Sequence, residues 1–232
     1  QPSTMQSIYR NPLLRMAPGY AFSGDIHWQS PSNIAIVKYW GKYGRQLPQN
    51  PSLSLTLAAS CTDTMLEYAF KEEAGDGQID LEFYFHGEAN EAFKSKTKAF
   101  LESLLPVFPF LKQLKLVVQT GNSFPHSAGI ASSASGMSAL ALCLCSLEDA
   151  LFGTLQDPAD YDKKASFVAR LGSGSACRSI FPHAAVWGET PLVAGSSNEF
   201  AVAVGEQIHE TFKNFHDDIL IVSQDEKAVS SR

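Results

Sequence analysis

The stretch NSFPHSAGIASSASGMSALAL, residues 122–142, sets small and hydroxylated residues ahead of an apolar run. The residues before it, LKLVVQTG (114–121), read as a strand. From about Ser133 to Leu151 the pattern predicts a helix. Strand, small-residue loop and helix in that order place Ser132, Ser133 and Ser135 at a helix N-terminus. Such a terminus carries unpaired N–H groups and roughly half a positive charge, so it attracts phosphate. Gly129 and its neighbouring alanines let backbone approach an anion closely, and serine hydroxyls can bond phosphate oxygens or Mg2+. The chain contains no GxxxxGK[ST], so any cradle here lacks the P-loop lysine. On composition alone, capping of the helix by Ser132 or Ser133 is the commoner reason for such serines. A second site has to decide.

Two other stretches offer one. In KYWGK, Lys38 and Lys42 lie four residues apart with Tyr39 and Trp40 between them. If the chain turns after the β-rich run NIAIVKYW (33–40), both ammonium groups face one cavity. Paired cations beside an aromatic ring suit a diphosphate or a carboxylate, although an isolated KxxxK is more often a solvated pair. In GSGSACRS (172–179), glycines flank Ser173 and Ser175, so the backbone can bend into a nest of donors. Arg178 offers a planar fork matched to carboxylate or phosphate. A helix C-cap at Gly172 with a surface arginine is the weaker reading, because so many small residues exceed what a cap requires.

Composition sets the frame. The 232 residues are 44% hydrophobic and 18% charged, which is the make-up of a folded chain able to bury a sizeable core. The net charge of −6 carries no basic excess, so no nucleic-acid surface is expected. Cys61, Cys143, Cys145 and Cys177 form no CxxC pair and read as free thiols of a reducing compartment, with no zinc site. No apolar run of about 18 residues and no signal peptide stand out, so the cytoplasm is expected and a membrane is not.

Period-2 runs predict strands at SLSLTL (52–57), TMLEYAF (64–70) and DLEFYFHG (80–87), with antiparallel pairing through short turns. Residues 91–105 switch to a helical stripe of Ala92, Phe93, Phe100, Leu101, Leu104 and Leu105, stopped by Pro106 and Pro109. PADYDKKASFVARLG (158–172) is another helix after 133–151, and HAAVWG (183–188), FAVAVG (200–205) and DDILIVSQ (217–224) are further strands. The order is mixed α+β, behind an irregular lead-in over residues 1–30.

These stretches carry a resemblance. The segment from Pro125 through Gly129, Ile130, Ala131, Ser132 and Ser133 to Ala134 resembles the nucleotide-phosphate loop of the GHMP kinase superfamily, written PxxxGLGSSA. SPSNIAIVKYWGKYGRQLPQNPSLSLTL (30–57) and ARLGSGSACRSIF (169–181) resemble the two signatures of mevalonate diphosphate decarboxylases, in the family's order. NSFP (122–125) and VSQDEKAVSS (222–231) fit the same family. The resemblance implies that residues 31–232 form a GHMP-kinase-like N-terminal domain (ribosomal protein S5 domain 2-like) binding ATP and substrate. It implies ATP and Mg2+ as cofactors, mevalonate diphosphate as substrate and, as in many relatives, a homodimer. By the same resemblance, Ala35, Lys38, Tyr39, Lys42, Ser173, Gly174, Ser175 and Arg178 line the substrate site. Tyr39 and Lys42 take the diphosphate end, Arg178 the carboxylate, and Lys38 a place near the reacting carbon. Asn122, Gly129, Ser132, Ser133 and Ser135 face ATP phosphates or the metal, with Ser133 nearest the transferred phosphoryl. The implied reaction phosphorylates a tertiary hydroxyl, then loses phosphate and CO2 to give isopentenyl diphosphate.

Three features depart from the family. Pro182-His183 stand where a glycine pair is usual, and His126-Ser127 where Thr-Ala is common. The family's catalytic aspartate belongs to a C-terminal domain, and Asp217 and Asp218 do not resemble its motif. The chain therefore reads as a fragment with that domain largely missing. A kinase or decarboxylase of mevalonate or its monophosphate, or an inactive phosphate-binding homologue, are the alternative readings.

Overall fold

A computed structural model describes residues 8–17, 19, 22–71, 77–124 and 132–218. The elements are β1 (Ser23–Val37), the short hairpin β2 (Lys42–Tyr43) and β3 (Leu47–Pro48), β4 (Ser52–Phe70), β5 (Asp80–Phe85) and β6 (Glu88–Ala89). Then follow α1 (Glu91–Ser103), β7 (Leu114–Asn122), α2 (Ser132–Phe152), α3 (Pro158–Gly172), β8 (Ala184–Trp187), β9 (Ala201–Ala203) and α4 (Glu210–Lys213). A 3-10 turn, Gly174–Ile180, joins α3 to β8.

The α+β class expected from the sequence is the class found. Among the described residues, seven strands form one sheet ordered β6-β5-β7-β4-β8-β9, with β1 along the other side of β4. The two runs SLSLTL and TMLEYAF are one 19-residue strand, not two. Ala58, Ala59 and Ser60 bridge them, where the register with β1 slips between Pro31 and Ser32. Proline has no N–H for a ladder bond, so a break beside Pro31 on an edge strand is where one belongs. Ser123, just before the serine-rich loop, stitches this break: its N–H donates to the Cys61 carbonyl and its hydroxyl to the Ala59 carbonyl.

Two expectations are corrected. Strand β1 begins at Ser23, so much of the supposed irregular lead-in, residues 23–30, is sheet. Its inward side there holds only Ile26 and Trp28 as large apolar residues, too weak an alternation to stand out. Second, β5 does not pair with β4. It lies parallel to β7, which inserts between them. Parallel neighbours require a long crossover, and α1 provides it.

Helix α1 packs on β5, α2 on β1 and β4, and α3 beside α2. Asn90 caps α1 by accepting from the Phe93 N–H. Asp157 caps α3 by accepting from Ala159 and Asp160, ahead of Pro158 at the first helical position. Within α1 and just after it, Leu101 and Leu104 are buried and Phe93, Phe100 and Leu105 pack against the core as expected, with Thr97 added to the buried side and Ala92 exposed. Helix α2 is long and apolar enough to cross a membrane by length and composition, contrary to the sequence reading. It is nonetheless a core helix. Leu140, Leu144 and Leu147 are buried with Leu66, Leu116 and Val118 of the sheet and Phe167 and Val168 of α3. Between α2 and α3, Lys164 and Glu148 form a buried ion pair at 2.5 Å. Cys143, Cys145 and Cys177 are buried and free, and burial pushes the Cys143 and Cys177 thiols up to about 12. Of the strand expected over 217–224, only Asp217 and Asp218 are described, and they are not strand.

Candidate anion-binding site

Helix α3 ends at Gly172, and Ser173 turns extended while its N–H still donates to Ala169. The chain then tightens into the Gly174–Ile180 turn, which holds Arg178 against the sheet. Gly174 is required for this approach. A Cβ there would lie 2.7 Å from Cη2 of Trp187 and 3.3 Å from Cδ of Lys42. Both distances show the same fact: the GSGSACRS turn, the KYWGK segment and β8 converge on one point.

Arg178 is the centre of that convergence. Its side chain is 1% exposed. Nε and one terminal nitrogen donate to Asn33 Oδ1 at 3.3 Å each, and the other terminal nitrogen donates to Ser52 Oγ. The guanidinium lies 5.5 Å from the Tyr39 ring and 5.8 Å from the Trp187 ring, and those rings meet edge-on at 5.0 Å. Burial lowers its pKa, but a guanidinium stays protonated at neutral pH. Among the described residues no carboxylate pairs with it. The other fully buried arginine, Arg170, has one: Glu199 at 2.7 Å. A guanidinium has five N–H donors, and the protein accepts three from Arg178 among the described residues. On the same face of β4, Ser54 is buried with its hydroxyl unpartnered, the only such side-chain atom among the described residues. A buried cation without a carboxylate partner among the described residues has the chemistry to take up an anion.

A seam of hydroxyls joins this pocket to the start of α2. Asn33 donates to Ser179 Oγ at 2.7 Å and to the Ser175 carbonyl at 3.1 Å. Ser30 bonds Ser138 of α2 and the Ser179 carbonyl. Further along, Thr62 bonds Ser135 at 2.6 Å and donates to Asn122 Oδ1 at 2.8 Å. All three stretches singled out in the sequence therefore share one wall.

Individual expectations fare differently. Tyr39, Lys42, Gly174 and Arg178 are brought together. Ala35 lies on β1 opposite Ser54, half-buried, and Ser173 and Ser175 are half-buried beside Gly174. Lys38 is exposed, with its carbonyl held by Asn50 at 2.9 Å. Ser132 is half-buried and Ser133 exposed at the first turn of α2. Ser135 is fully buried and its hydroxyl bonds Thr62, unlike Ser132 and Ser133. The carbonyl oxygen of Asn122 is likewise engaged, leaving its amide NH2 for a ligand. Gly129, with His126 and Ser127, lies outside the described residues.

Three residues were missed. Asn33 looked like one polar residue in a β-run. Ser52 begins SLSLTL, whose alternation shows two faces without saying which faces the site. Trp187 was read only as part of a strand. Pro182-His183 lie beyond the other end of β8 from Trp187, four residues or about 13 Å along the strand. His183 takes a left-handed φ of 62°, a conformation natural to the glycine pair it replaces.

Replacing Gly174 with alanine tests the convergence. The new methyl must displace Trp187 or Lys42, so stability should fall by about 1–3 kcal/mol in urea unfolding. Affinity for inorganic pyrophosphate should fall with it. Unchanged affinity would separate Lys42 from the turn.

Comparison with known proteins gives the family. Residues 30–198 match the diphosphomevalonate decarboxylase-like N-terminal domain. A diphosphomevalonate decarboxylase of Eremothecium gossypii is 32% identical over 214 residues, covering 87% of this chain and 50% of the relative. One of Candida albicans is 33% identical, covering 87% and 55%. Among solved structures, the mevalonate diphosphate decarboxylase of Enterococcus faecalis aligns with a TM-score of 0.59 at 35% identity, over 80% of this chain and 52% of that one. MDDEF in complex with MVAPP, AMPPCP and magnesium aligns with a TM-score of 0.57 at 34% identity, over 78% and 50%. The chain spans about half the length of the relatives it matches. With the family's motifs gathered on one wall and its N-terminal domain matched across most of the chain, this protein belongs to the diphosphomevalonate decarboxylase-like family.

Proposed function

We propose that this chain is the nucleotide- and substrate-binding half of an ATP-dependent decarboxylase that converts mevalonate 5-diphosphate to isopentenyl diphosphate. One observation carries the reading: Arg178, buried and without a carboxylate partner among the described residues, beside Lys42 and Gly174. The relatives' names and the MVAPP complex support the choice of substrate.

In this reading Arg178 holds the substrate carboxylate in a fork–fork pair. Lys42 and Tyr39, with Ser173, Gly174 and Ser175, take the diphosphate, and Ala35 gives room alongside. Fixing both ends places the tertiary carbon between them, which removes most of its freedom before any bond breaks. Lys38, exposed on the same segment, stabilises negative charge developing near that carbon. Because Arg178 is covered, with Tyr39 laid against it, the 38–43 segment must shift to admit the carboxylate.

The start of α2 fits a nucleotide. Helix α2 opens on the hydroxyls of half-buried Ser132 and exposed Ser133, and the first turn of a 21-residue helix presents N–H groups without intrahelical partners. Phosphate oxygens of the nucleotide and the Ser132 and Ser133 hydroxyls are oxygen donors of the kind Mg2+ takes. When bound, ATP supplies the phosphoryl group that turns a poor leaving group, hydroxide, into a good one, and Mg2+ neutralises its charge. In this reading Ser133 orients that phosphoryl, and Ser132 and the Asn122 amide take the remaining phosphates, a role the family resemblance extends to Gly129. Three buried free thiols suit a reducing compartment such as the cytoplasm.

Isothermal titration of mevalonate, its 5-phosphate and its 5-diphosphate tests the substrate. The diphosphate should bind at least about tenfold tighter than the monophosphate, as expected for one more charge-assisted contact. Equal affinities would overturn the assignment.

A further inference from the structure

The hairpin β2–β3 pairs only Lys42 with Pro48 and Tyr43 with Leu47. So short a ribbon does not hold itself together in water. Its turn adds strain: Gly44 and Gln46 both have left-handed φ, 51° and 60°, and Gln46 is not glycine. Strained residues persist where the surroundings over-determine them. Here the restraint comes from below. Arg170, 2% exposed on α3, donates from one terminal nitrogen to the Arg45 carbonyl at 2.5 Å, in the middle of that turn. The Arg45 guanidinium donates to Ser103 Oγ at 2.8 Å, and Lys42 Nζ to Gln46 Oε1 at 2.5 Å.

The rest of the Arg170 fork goes to one residue. Nε donates to the Glu199 carbonyl at 2.6 Å, and the second terminal nitrogen to Glu199 Oε2 at 2.7 Å. The neighbouring Asn198 carbonyl accepts from the Trp187 indole at 2.8 Å. A single buried guanidinium thus ties together the hairpin that carries Lys42 and the segment that anchors Trp187.

We infer that Arg170 is a positioning residue for the anion site, setting where Lys42 stands by pinning the hairpin through the Arg45 carbonyl. The inference rests on the reading of the site as a diphosphate pocket. Lysine at this position keeps a charge for Glu199 but has one donor point where three directions are needed. Arg170→Lys should therefore loosen the hairpin and leave α3 intact.

The test is a double-mutant cycle on the full chain, with inorganic pyrophosphate as probe in isothermal titration. Lys42→Ala should weaken binding about tenfold, the loss of one charge-assisted contact. Arg170→Lys should weaken it by about three- to tenfold, and the double variant should bind no worse than Lys42→Ala alone. Hydrogen exchange in Arg170→Lys should quicken over residues 42–48 while the buried amides of α3 keep their protection. Should Arg170→Lys fail to fold, Arg170→Gln combined with Glu199→Gln replaces the ion pair by an amide pair and completes the same cycle. Additive losses, or full pyrophosphate affinity in the Arg170 variants, would overturn the inference alone. Pyrophosphate binding that is absent, or indifferent to Lys42→Ala, would overturn the diphosphate reading and this inference with it.

Discussion

Replacing Arg178 with methionine is expected to weaken binding of mevalonate 5-diphosphate by at least about a hundredfold while changing stability by less than about 2 kcal/mol. The two effects separate because they arise in different states. Without ligand, the guanidinium is a buried charge with no carboxylate partner among the described residues, held by hydrogen bonds to Asn33 and Ser52 and packed against the Tyr39 and Trp187 rings. Removing it relieves a desolvation penalty of several kcal/mol. It also orphans Asn33 Oδ1, at about 1–3 kcal/mol, and takes one of two partners from Ser52 Oγ, which still donates to the Trp187 carbonyl. These terms nearly cancel, and methionine fills most of the volume between Tyr39 and Trp187. With ligand the balance tips, because a carboxylate brought into the pocket then faces no cation. A truncated partner in a buried charge pair costs about 2–5 kcal/mol. Urea unfolding and titration calorimetry on the same preparation give both numbers. A large loss of stability with binding retained would make Arg178 a structural residue.

Trp187→Ala should destabilise the chain by about 3–5 kcal/mol and abolish pyrophosphate binding. The side chain is fully buried, and its indole N–H has the Asn198 carbonyl as partner. It also supports Gly174, Tyr39 and Arg178 at once. Removing it leaves a cavity under the whole site. Trp187→Phe keeps the ring and loses the indole hydrogen bond, so it should lose about 1–3 kcal/mol and bind more weakly than the original chain but measurably. Equal binding by the alanine variant would mean that the site does not depend on this floor.

Much of this was legible from residues alone. Helix α3 declares itself at both ends, with Asp157-Pro158 as cap and first residue and Gly172 as its close. The small residues at 172–176 announced a backbone turn, and Gly174 shows why only hydrogen fits there. What escaped depends on distance along the chain. Whether β5 meets β4 or β7 is settled by a crossover helix and not by any residue in β5. Ser135 reads like its neighbours Ser132 and Ser133, yet one helical step turns it onto Thr62 of the sheet. Trp187 and Ser52 were visible as strand residues, but which side of the strand faces Arg178 follows from β8 lying beside β4. Arg170 and Arg178 look alike in sequence. Only the fold gives one a glutamate and leaves the other without a carboxylate among the described residues.

The most direct test is a crystal structure of the chain soaked with mevalonate 5-diphosphate. The account requires the substrate carboxylate within about 3.2 Å of the Arg178 guanidinium, with the diphosphate reached by Lys42 across Gly174. A carboxylate turned to solvent, or a diphosphate bound away from the Lys42 hairpin, would contradict it.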